Sequence, residues 1–295
     1  MGIYTRFGLD ADVKMMKPAN ILPLLLSGGV DVACSGAPML NTIIQGQDLV
    51  VVFGEGAILP YALVSRQEFK KPEELKGKIL STPSVGSGTS YVVLVETLKK
   101  HGIKADEVKW VELPDAPTRA RALIAGRIDA TVLTQDETLL VQGRKEVRTL
   151  AQTPGANTDM KPFMFCMATR AYVNTHEQEL TRWATAMMAT HRRLDSDKAT
   201  YIELVKKVKG DQYSEKEAEQ LYDIAKKTGY WSLNGGMDPQ WHRKSMEYMM
   251  AASKPGQPAP KLETYYSDKY VRAALDELGK VPSATDPANW YTKAK

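Results

Sequence analysis

The chain has 295 residues, 43% hydrophobic and 25% charged, with 21 glycines and 16 prolines. That length and composition suit a globular protein of about two domains, and exclude collagen-like, low-complexity and disordered chains. The net charge of +4 is a small excess spread over the whole length, and no basic stripe with interleaved aromatics marks a nucleic-acid surface.

Two cysteines, Cys34 and Cys166, stand far apart and alone cannot build a disulfide framework or a zinc site. The four histidines show no metal-ligand spacing, so neither a metal nor a cofactor is expected. No apolar run reaches the roughly 18 residues that span a bilayer. The opening MGIYTRFGLD lacks the basic and apolar regions of a secretory signal.

In chain order, Val13–Met16 reads as a brief strand and Ile21–Leu26 as an apolar helix stopped by Ser27-Gly28-Gly29. Val30–Cys34 reads as a strand, and Pro38–Gln45 as a helix with proline near its start. Leu49–Phe53 is a continuous apolar run of the kind a buried parallel strand shows. Strands follow at Tyr61–Ser65, Lys78–Thr82, Val108–Leu113, Ile128–Leu133 and Val147–Ala151. Helices alternate with them at Lys71–Lys76, Tyr91–His101, Pro117–Ala125 and Glu137–Gln142. This rhythm argues for βαβ units and an α/β sheet. After a strand at 163–169 the chain turns helical, with helices at Glu177–Leu194, Ala199–Val208, Glu215–Lys227, Pro239–Ala252 and Asp268–Leu278. Ser214 and Glu217 form a capping box, and Gly229 closes that helix. Residues 253–261 read as a loop, and 281–295 as an irregular strap or a frayed end.

An internal echo is visible. LLLSGGVDVACSGAP and ALIAGRIDATVLTQD share one plan: apolar helix, small residue, glycine, apolar residue, aspartate, strand, polar loop. Two lobes built alike would give such an echo. Together with GIYTRFGLDADVK, KKPEELKGKILSTPSVGSGTS and LKKHGIKADEVKWVELPDAPTRAR, these phrases resemble, in order, the bacterial extracytoplasmic solute-binding proteins for sulfonates, nitrate, taurine and thiamine precursors. This is the SsuA/TauA/THI5-like (NMT1-like) family, and the resemblance covers about residues 1–170. In that family the first phrase follows a signal peptide and a first strand, so the resemblance implies a chain lacking both.

The resemblance implies an α/β, two-lobed periplasmic-binding-protein fold (type II-like), with parallel-rich sheets, flanking helices and a helical C-terminal portion. Lobe one would be 1–80 plus 166–295 and lobe two 81–165, with crossings near Ser81-Thr82 and 160–165, the lobes closing on a small ligand.

Candidate contacts lie where strands run into helices, the ligand end of open α/β sheets. In Gly86-Ser87-Gly88-Thr89-Ser90 the helix N-terminus offers free backbone N–H groups, and Ser87, Gly88 and Thr89 form a polar or anion cradle; an N-cap alone would also explain them. Ser35 and Gly36 hold the matching place in lobe one, again open to an N-cap role. Asp136 follows the last lobe-two strand, as ligand contact or N-cap. Arg119 could grip a carboxylate or sulfonate in bidentate fashion, or be a solvated helix charge. Glu55, in Gly54-Glu55-Gly56, would favour a ligand with a donor or cationic group if it lines the site. The aromatic pairs Tyr230-Trp231 and Tyr265-Tyr266, and the methionines 187, 188, 246, 249 and 250, fit core packing.

The resemblance therefore implies a monomeric, non-enzymatic receptor that binds a sulfonate, aromatic carboxylate or pyrimidine precursor and delivers it to an ABC importer permease, with no nucleic-acid partner. Its place would be periplasmic or lipid-anchored. The alternative is an enzyme on the same fold (a desulfinase, a decarboxylase or a THI5-like pyrimidine synthase) using Cys34, whose thiol would need a lowered pKa. A small buried cysteine is the plainer reading of both Cys34 and Cys166, and two cysteines fit an oxidising compartment if buried or paired.

Overall fold

A computed structural model describes residues 2–16, 18–36, 39–56, 61–86, 89–134, 136–153, 164–210 and 213–292. The chain forms two compact units, Met1–Ile58 with Asp159–Lys295, and Leu59–Thr158. The units divide at 58–59, well before the crossing expected near Ser81-Thr82, and at 158–159, next to the one expected near 160–165. Residues 59–80 belong with the second unit because the strand they open pairs with two strands of that unit's sheet.

The first unit opens with helices α1 (Ile3–Arg6) and α2 (Pro18–Leu26), then β1 (Ala33–Gly36), α3 (Leu40–Ile44) and β2 (Leu49–Gly56). The strand expected at Val13–Met16 is absent. That segment finds no partner strand, and Val13 and Met15 are 68% and 77% exposed. β2 runs three residues beyond its apolar core, and Leu49 to Phe53 are all at most 1% exposed.

The chain returns to this unit as β8 (Met164–Thr169), after the second unit's strands β3 to β7 given below. β8 lies between β1 and β2 and is antiparallel to both, so Leu49–Phe53 is buried as expected but pairs antiparallel, not as the parallel strand its apolar run suggested. Helices α6 (Arg170–Thr175), α7 (Glu177–Ser196), α8 (Lys198–Lys209), α9 (Glu215–Thr228), α10 (Pro239–Ser253) and α11 (Lys269–Leu278) follow. Sequence reading passes over α6, six residues long, which starts at the strand's end when Thr169 Oγ1 accepts the Tyr172 N–H at 3.2 Å. The Ser214–Glu217 capping box forms in both directions. Gly229 ends α9 in the left-handed region (φ 64°), where a Cβ would also stand 2.7 Å from the Thr285 side chain. The five methionines are all buried, as are Trp231 and Tyr265.

β2's far edge is covered rather than open, which removes a site of unwanted strand pairing. Val51 N–H donates to the Tyr265 carbonyl at 2.7 Å, and Ser267 N–H to the Val51 carbonyl at 3.0 Å. Gly54 N–H donates to the Gly235 carbonyl at 2.9 Å. The loop at 232–236 is in turn held by the C-terminal segment, which is a strap: Asp286 and Ala288 are fully buried. The Asp286 carboxylate accepts the N–H groups of Asn234 (2.6 Å) and Gly236 (3.1 Å), while the Asn234 amide donates to the carbonyls of Val281 and Asp286. Arg192 of α7 donates to the carbonyls of Leu233, Leu278 and Gly279.

The second unit holds β3 (Tyr61–Arg66), β4 (Ile79–Thr82), α4 (Thr89–Lys100), β5 (Lys109–Glu112), α5 (Ala116–Ile124), β6 (Ala130–Thr134) and β7 (Val147–Thr153), with 3₁₀ turns at Pro72–Leu75 and Glu137–Val141. The sheet order is β5-β4-β6-β3-β7. β4 is parallel to β5 and β6, whereas β3 is antiparallel to β6 and β7. Leu123, Ile128, Leu133, Ala62 and Val64 form part of one buried cluster beneath α5. The sequence echo is realised as α2–β1 in one unit and α5–β6 in the other. In the second copy the echoed aspartate, Asp129, accepts Ile79 N–H at 2.8 Å and pairs with Arg66.

Two buried histidines set an acid response. Burial pushes His191 and His242 down to about 4. Each is hydrogen-bonded to a carbonyl, of Ser232 and Gly236 respectively. Unfolded, they would take up protons from about pH 6.5. Their contribution is therefore present above pH 6.5 and lost as pH falls towards 4. Asp286, raised to about 6 by burial, has the opposite sign: its contribution is present below about 4 and lost as pH rises through 6. Glu55, also raised by burial, shares the sign of Asp286, so between pH 6.5 and 4.5 the histidine share is isolated by substitution. His242→Gln, which keeps a donor for the Gly236 carbonyl, should remove one proton's share, about 1.4 kcal/mol per pH unit at most. Urea midpoints measured across that range check this, and an unchanged slope in the variant would contradict it.

Candidate functional site

In the first unit the antiparallel register brings two candidate segments to the same sheet end. Gly36 and Gly56 both pair with Met164, from opposite sides of β8, and Ser35 and Gly54 both pair with Phe165. Ser35, Gly36 and Glu55 therefore sit at the carboxyl ends of β1 and β2. Ser35 and Gly36 are the last residues of β1 rather than the loop after it. Both are half-buried.

Glu55 has no partner on β8, because the register jumps from Gly54 to Gly56. It is the extra residue of a β-bulge, a device that re-aims a side chain. Its Oε2 is enclosed and has no hydrogen-bond partner among the described residues. Burial raises its pKa. The Glu55 charge also helps burial to raise the pKa of Tyr4, whose hydroxyl meets the Met187 sulfur at 3.1 Å. Tyr4 is a neighbour that sequence reading did not single out.

The cysteines are not free. Cys34 of β1 and Cys166 of β8 are register partners and form a disulfide across 132 residues of sequence. Of the two states the sequence left open, buried or paired, the pairing is realised because β8 brings the second cysteine beside the first. A carboxylate oxygen of Glu55 and the two sulfurs lie within 4.8 Å of one another. With the bridge closed neither sulfur is a thiolate, so the trio offers no metal ligand set and Cys34 no nucleophile.

In the second unit, Ser87 and Gly88 lie outside the described residues. Thr89 is the first residue of α4, which begins two residues earlier than expected, and is half-buried. Ser90 Oγ approaches the Tyr61 hydroxyl at 3.4 Å. Tyr61 pairs with Thr134 across β3 and β6, and burial pushes its phenol up to about 12. Asp136 makes no N-cap bond; it accepts the Thr134 hydroxyl at 2.5 Å.

Arg119 is the clearest departure from expectation. It is 2% exposed, so it is no solvated charge. Its Nη2 pairs with Glu137 Oε2 at 3.4 Å and its Nη1 donates to the Leu113 carbonyl at 3.4 Å. Glu137 also accepts the Thr134 N–H at 2.9 Å. The signal for Glu137 is present in the sequence as Thr134-x-x-Glu137, one half of a capping box. Thus Tyr61, Ser90, Arg119, Thr134, Asp136 and Glu137 converge at one end of this unit's sheet, with Arg119 bound from within.

A family model described as NMT1/THI5 like matches residues 1–189. No curated protein matches the sequence. Among solved structures, a putative periplasmic sulfonate-binding protein SsuA from Methylobacillus flagellatus KT is similar over 94% of this chain and 85% of its own, at 20% identity and a TM-score of 0.72. The alkanesulfonate-binding protein SsuA from Xanthomonas axonopodis pv. citri, bound to MOPS, is 17% identical with a TM-score of 0.69, over 90% of this chain and 91% of its own. A DSZB mutant in complex with biphenyl-2-sulfinic acid is 12% identical with a TM-score of 0.67, over 94% and 93%. The fold is the α/β periplasmic-binding-protein fold flanked by helices, but with one antiparallel and one mixed sheet rather than the parallel-rich sheets expected. Among the described residues no helix is long and apolar enough to cross a membrane.

Glu137→Ala should strand the Arg119 guanidinium in a buried position and cost about 2 kcal/mol of stability. Adding Arg119→Met should recover part of that loss, since an apolar side chain needs no partner. Urea unfolding of both single variants and the double variant measures the coupling; additive losses would mean that the pair contributes nothing.

Proposed function

Since the chain belongs to the NMT1/THI5-like family, we propose that it is the extracytoplasmic solute-binding receptor of an ABC importer, monomeric and without enzymatic activity. It captures one small organic molecule and hands it to the permease. The observation that carries this reading is the repeated placement of polar residues at the carboxyl ends of a sheet in each unit: Ser35, Gly36 and Glu55 in the first, Thr89 and Asp136 in the second. This is where open α/β folds bind ligands. Ser87 and Gly88 join Thr89 in the proposal on sequence grounds. Arg119 remains the weaker candidate: both Nη atoms are engaged, while its buried Nε has no hydrogen-bond partner among the described residues.

The ligand is a sulfonate, an aromatic carboxylate or a pyrimidine precursor. A purely anionic head fits the helix α4 end, where backbone N–H groups and the helix dipole favour negative charge. Next to Glu55 the ligand would present a donor or a cationic group. An extracytoplasmic location agrees with the disulfide, which persists in oxidising compartments. The same bridge weighs against the enzyme alternative, because a Cys34 nucleophile requires a free thiolate.

A thermal-shift screen against small sulfonates, aromatic carboxylates, inorganic anions and pyrimidines tests the reading. A ligand at 100 times its Kd stabilises by about 2.7 kcal/mol, a rise of about 5 °C or more for a chain of this size. The expected hit is recovered chemically unchanged, and Ser35→Ala or Thr89→Ala weakens it about tenfold. Conversion of the hit into a product would establish the enzyme instead. Unaltered affinity in both variants would displace the candidate contacts.

A further inference from the structure

The receptor function makes no use of the Cys34–Cys166 bridge, beside which the ligand-contact candidate Glu55 also stands. We propose that the Cys34–Cys166 bridge is a redox-active pair, opened in the folded protein by a dithiol reductant, with Glu55 as the proton donor to the departing Cys166 sulfur.

Three features of the geometry point this way. The first is unequal access: Cys34 is half-buried whereas Cys166 is fully enclosed. The less buried Cys34 is therefore assigned as the sulfur attacked, and Cys166 as the leaving group. The second is the environment of that leaving group. Cys166 lies in the central strand of its sheet, between β1 and β2, and an enclosed apolar setting penalises a bare thiolate. The third is the acid beside it. A Glu55 oxygen lies within 4.8 Å of both sulfurs, and its Oε2 has no hydrogen-bond partner among the described residues. The bulge at Gly54–Gly56 delivers that carboxyl out of the regular register. A bridge with a purely structural role needs no acid at its side, and an enclosed unpartnered carboxyl is costly. Burial raises the Glu55 pKa, which keeps the proton on the group until the sulfur requires it.

The step balances as ordinary thiol–disulfide exchange. A dithiol reductant that has lost one proton to solvent attacks Cys34 Sγ. A new sulfur–sulfur bond forms as the Cys34–Cys166 bond breaks, and the electron pair leaves on Cys166 Sγ. Glu55 transfers its proton to that sulfur and becomes a carboxylate, which regains a proton from solvent. The reductant's second thiol, deprotonated by solvent, attacks its own sulfur in the mixed disulfide and releases Cys34, which takes up a proton. The protein gains two electrons and two protons, and the dithiol is oxidised to its disulfide.

The test uses the full-length oxidised protein, dithiothreitol as reductant, timed thiol trapping read by mass, and near-UV circular dichroism to follow the fold. Both thiols are expected to appear while the near-UV signal stays native. The rate, corrected for the thiolate fraction of dithiothreitol, should be level at low pH and fall about tenfold per pH unit once Glu55 ionises. Glu55→Gln should be at least tenfold slower and lose that dependence. With glutathione as a single-thiol probe, the mixed disulfide should map to Cys34. Thiols that appear only as the near-UV signal is lost would make the bridge structural and overturn the assignment. So would a mixed disulfide on Cys166, or a Glu55→Gln rate equal to the wild type. Should Glu55→Gln fail to fold, the wild-type profile decides alone, and a flat corrected profile overturns the role of Glu55.

Discussion

The first unit depends on one strand arriving from far away. β8 supplies the hydrogen bonds for both β1 and β2, which run side by side in sequence yet do not pair with each other. Until β8 docks, β1 and the apolar run Leu49–Phe53 of β2 lack this ladder partner, and the buried N–H and C=O groups that face β8 would be left unsatisfied. The whole second unit lies in the chain between β2 and β8. Closing that loop is entropically expensive and slow relative to local contacts. The Cys34–Cys166 link spans the same loop, and removing its closure entropy from the unfolded ensemble is worth on the order of 5 kcal/mol in the chain-entropy account.

The same docking dictates the site. Antiparallel pairing on both flanks of β8 means that β1 and β2 end at the same place, opposite Met164 and Phe165. Ser35 and Glu55 come together through register, not through proximity in sequence. On the opposite edge of β2, the loop at 232–236 approaches so closely that a Cβ on Gly236 would stand 2.6 Å from the Gly54 carbonyl oxygen. That contact, the Asn234–Asp286 bonds and the Arg192 fork hold the C-terminal strap against the sheet. The helical second half of the chain is therefore tied to the strands of the first half by polar groups, of which Asn234 and Asp286 are fully out of solvent.

What the sequence made legible follows from the range of each force. Helices and strands with a local signal were readable: the Ser214–Glu217 box, the glycine stop at Gly229, the apolar run Leu49–Phe53, and the echo that becomes α2–β1 and α5–β6. Val13–Met16 has strand-like residues but no neighbour to pair with, and partnership is not a local property. Arg119 illustrates the same limit. Its burial depends on α5 turning it towards Glu137, although the Thr-x-x-Glu spacing of Thr134 and Glu137 was there to be read. The disulfide was the least legible feature, because cysteine count and spacing say nothing about which strands become neighbours. The division between units shifted by some twenty residues for a related reason: β3 is claimed by β6 and β7, both later in the chain.

Glu55 joins these themes. A carboxyl flanked by glycines, Gly54-Glu55-Gly56, reads in sequence as a loop at a strand end. In the fold it stays within β2, and the strand accommodates it by bulging. A bulge disrupts the ladder locally, and an enclosed oxygen with no partner among the described residues adds a desolvation cost. Two destabilising features at one residue are hard to account for by packing alone, since an apolar residue in regular register would avoid both. Sequences tend to violate local consistency where function requires it. The choice then lies between the two things within reach of this carboxyl: a ligand group at the sheet end, and the sulfurs of Cys34 and Cys166. These make opposite demands on the proton. A cationic ligand group draws Glu55 towards the carboxylate, whereas a departing thiolate needs the acid. Burial favours the acid, so in the absence of ligand the carboxyl is set for the sulfur. A bound cation would take that proton away and, by the same electrostatics, make the bridge harder to open.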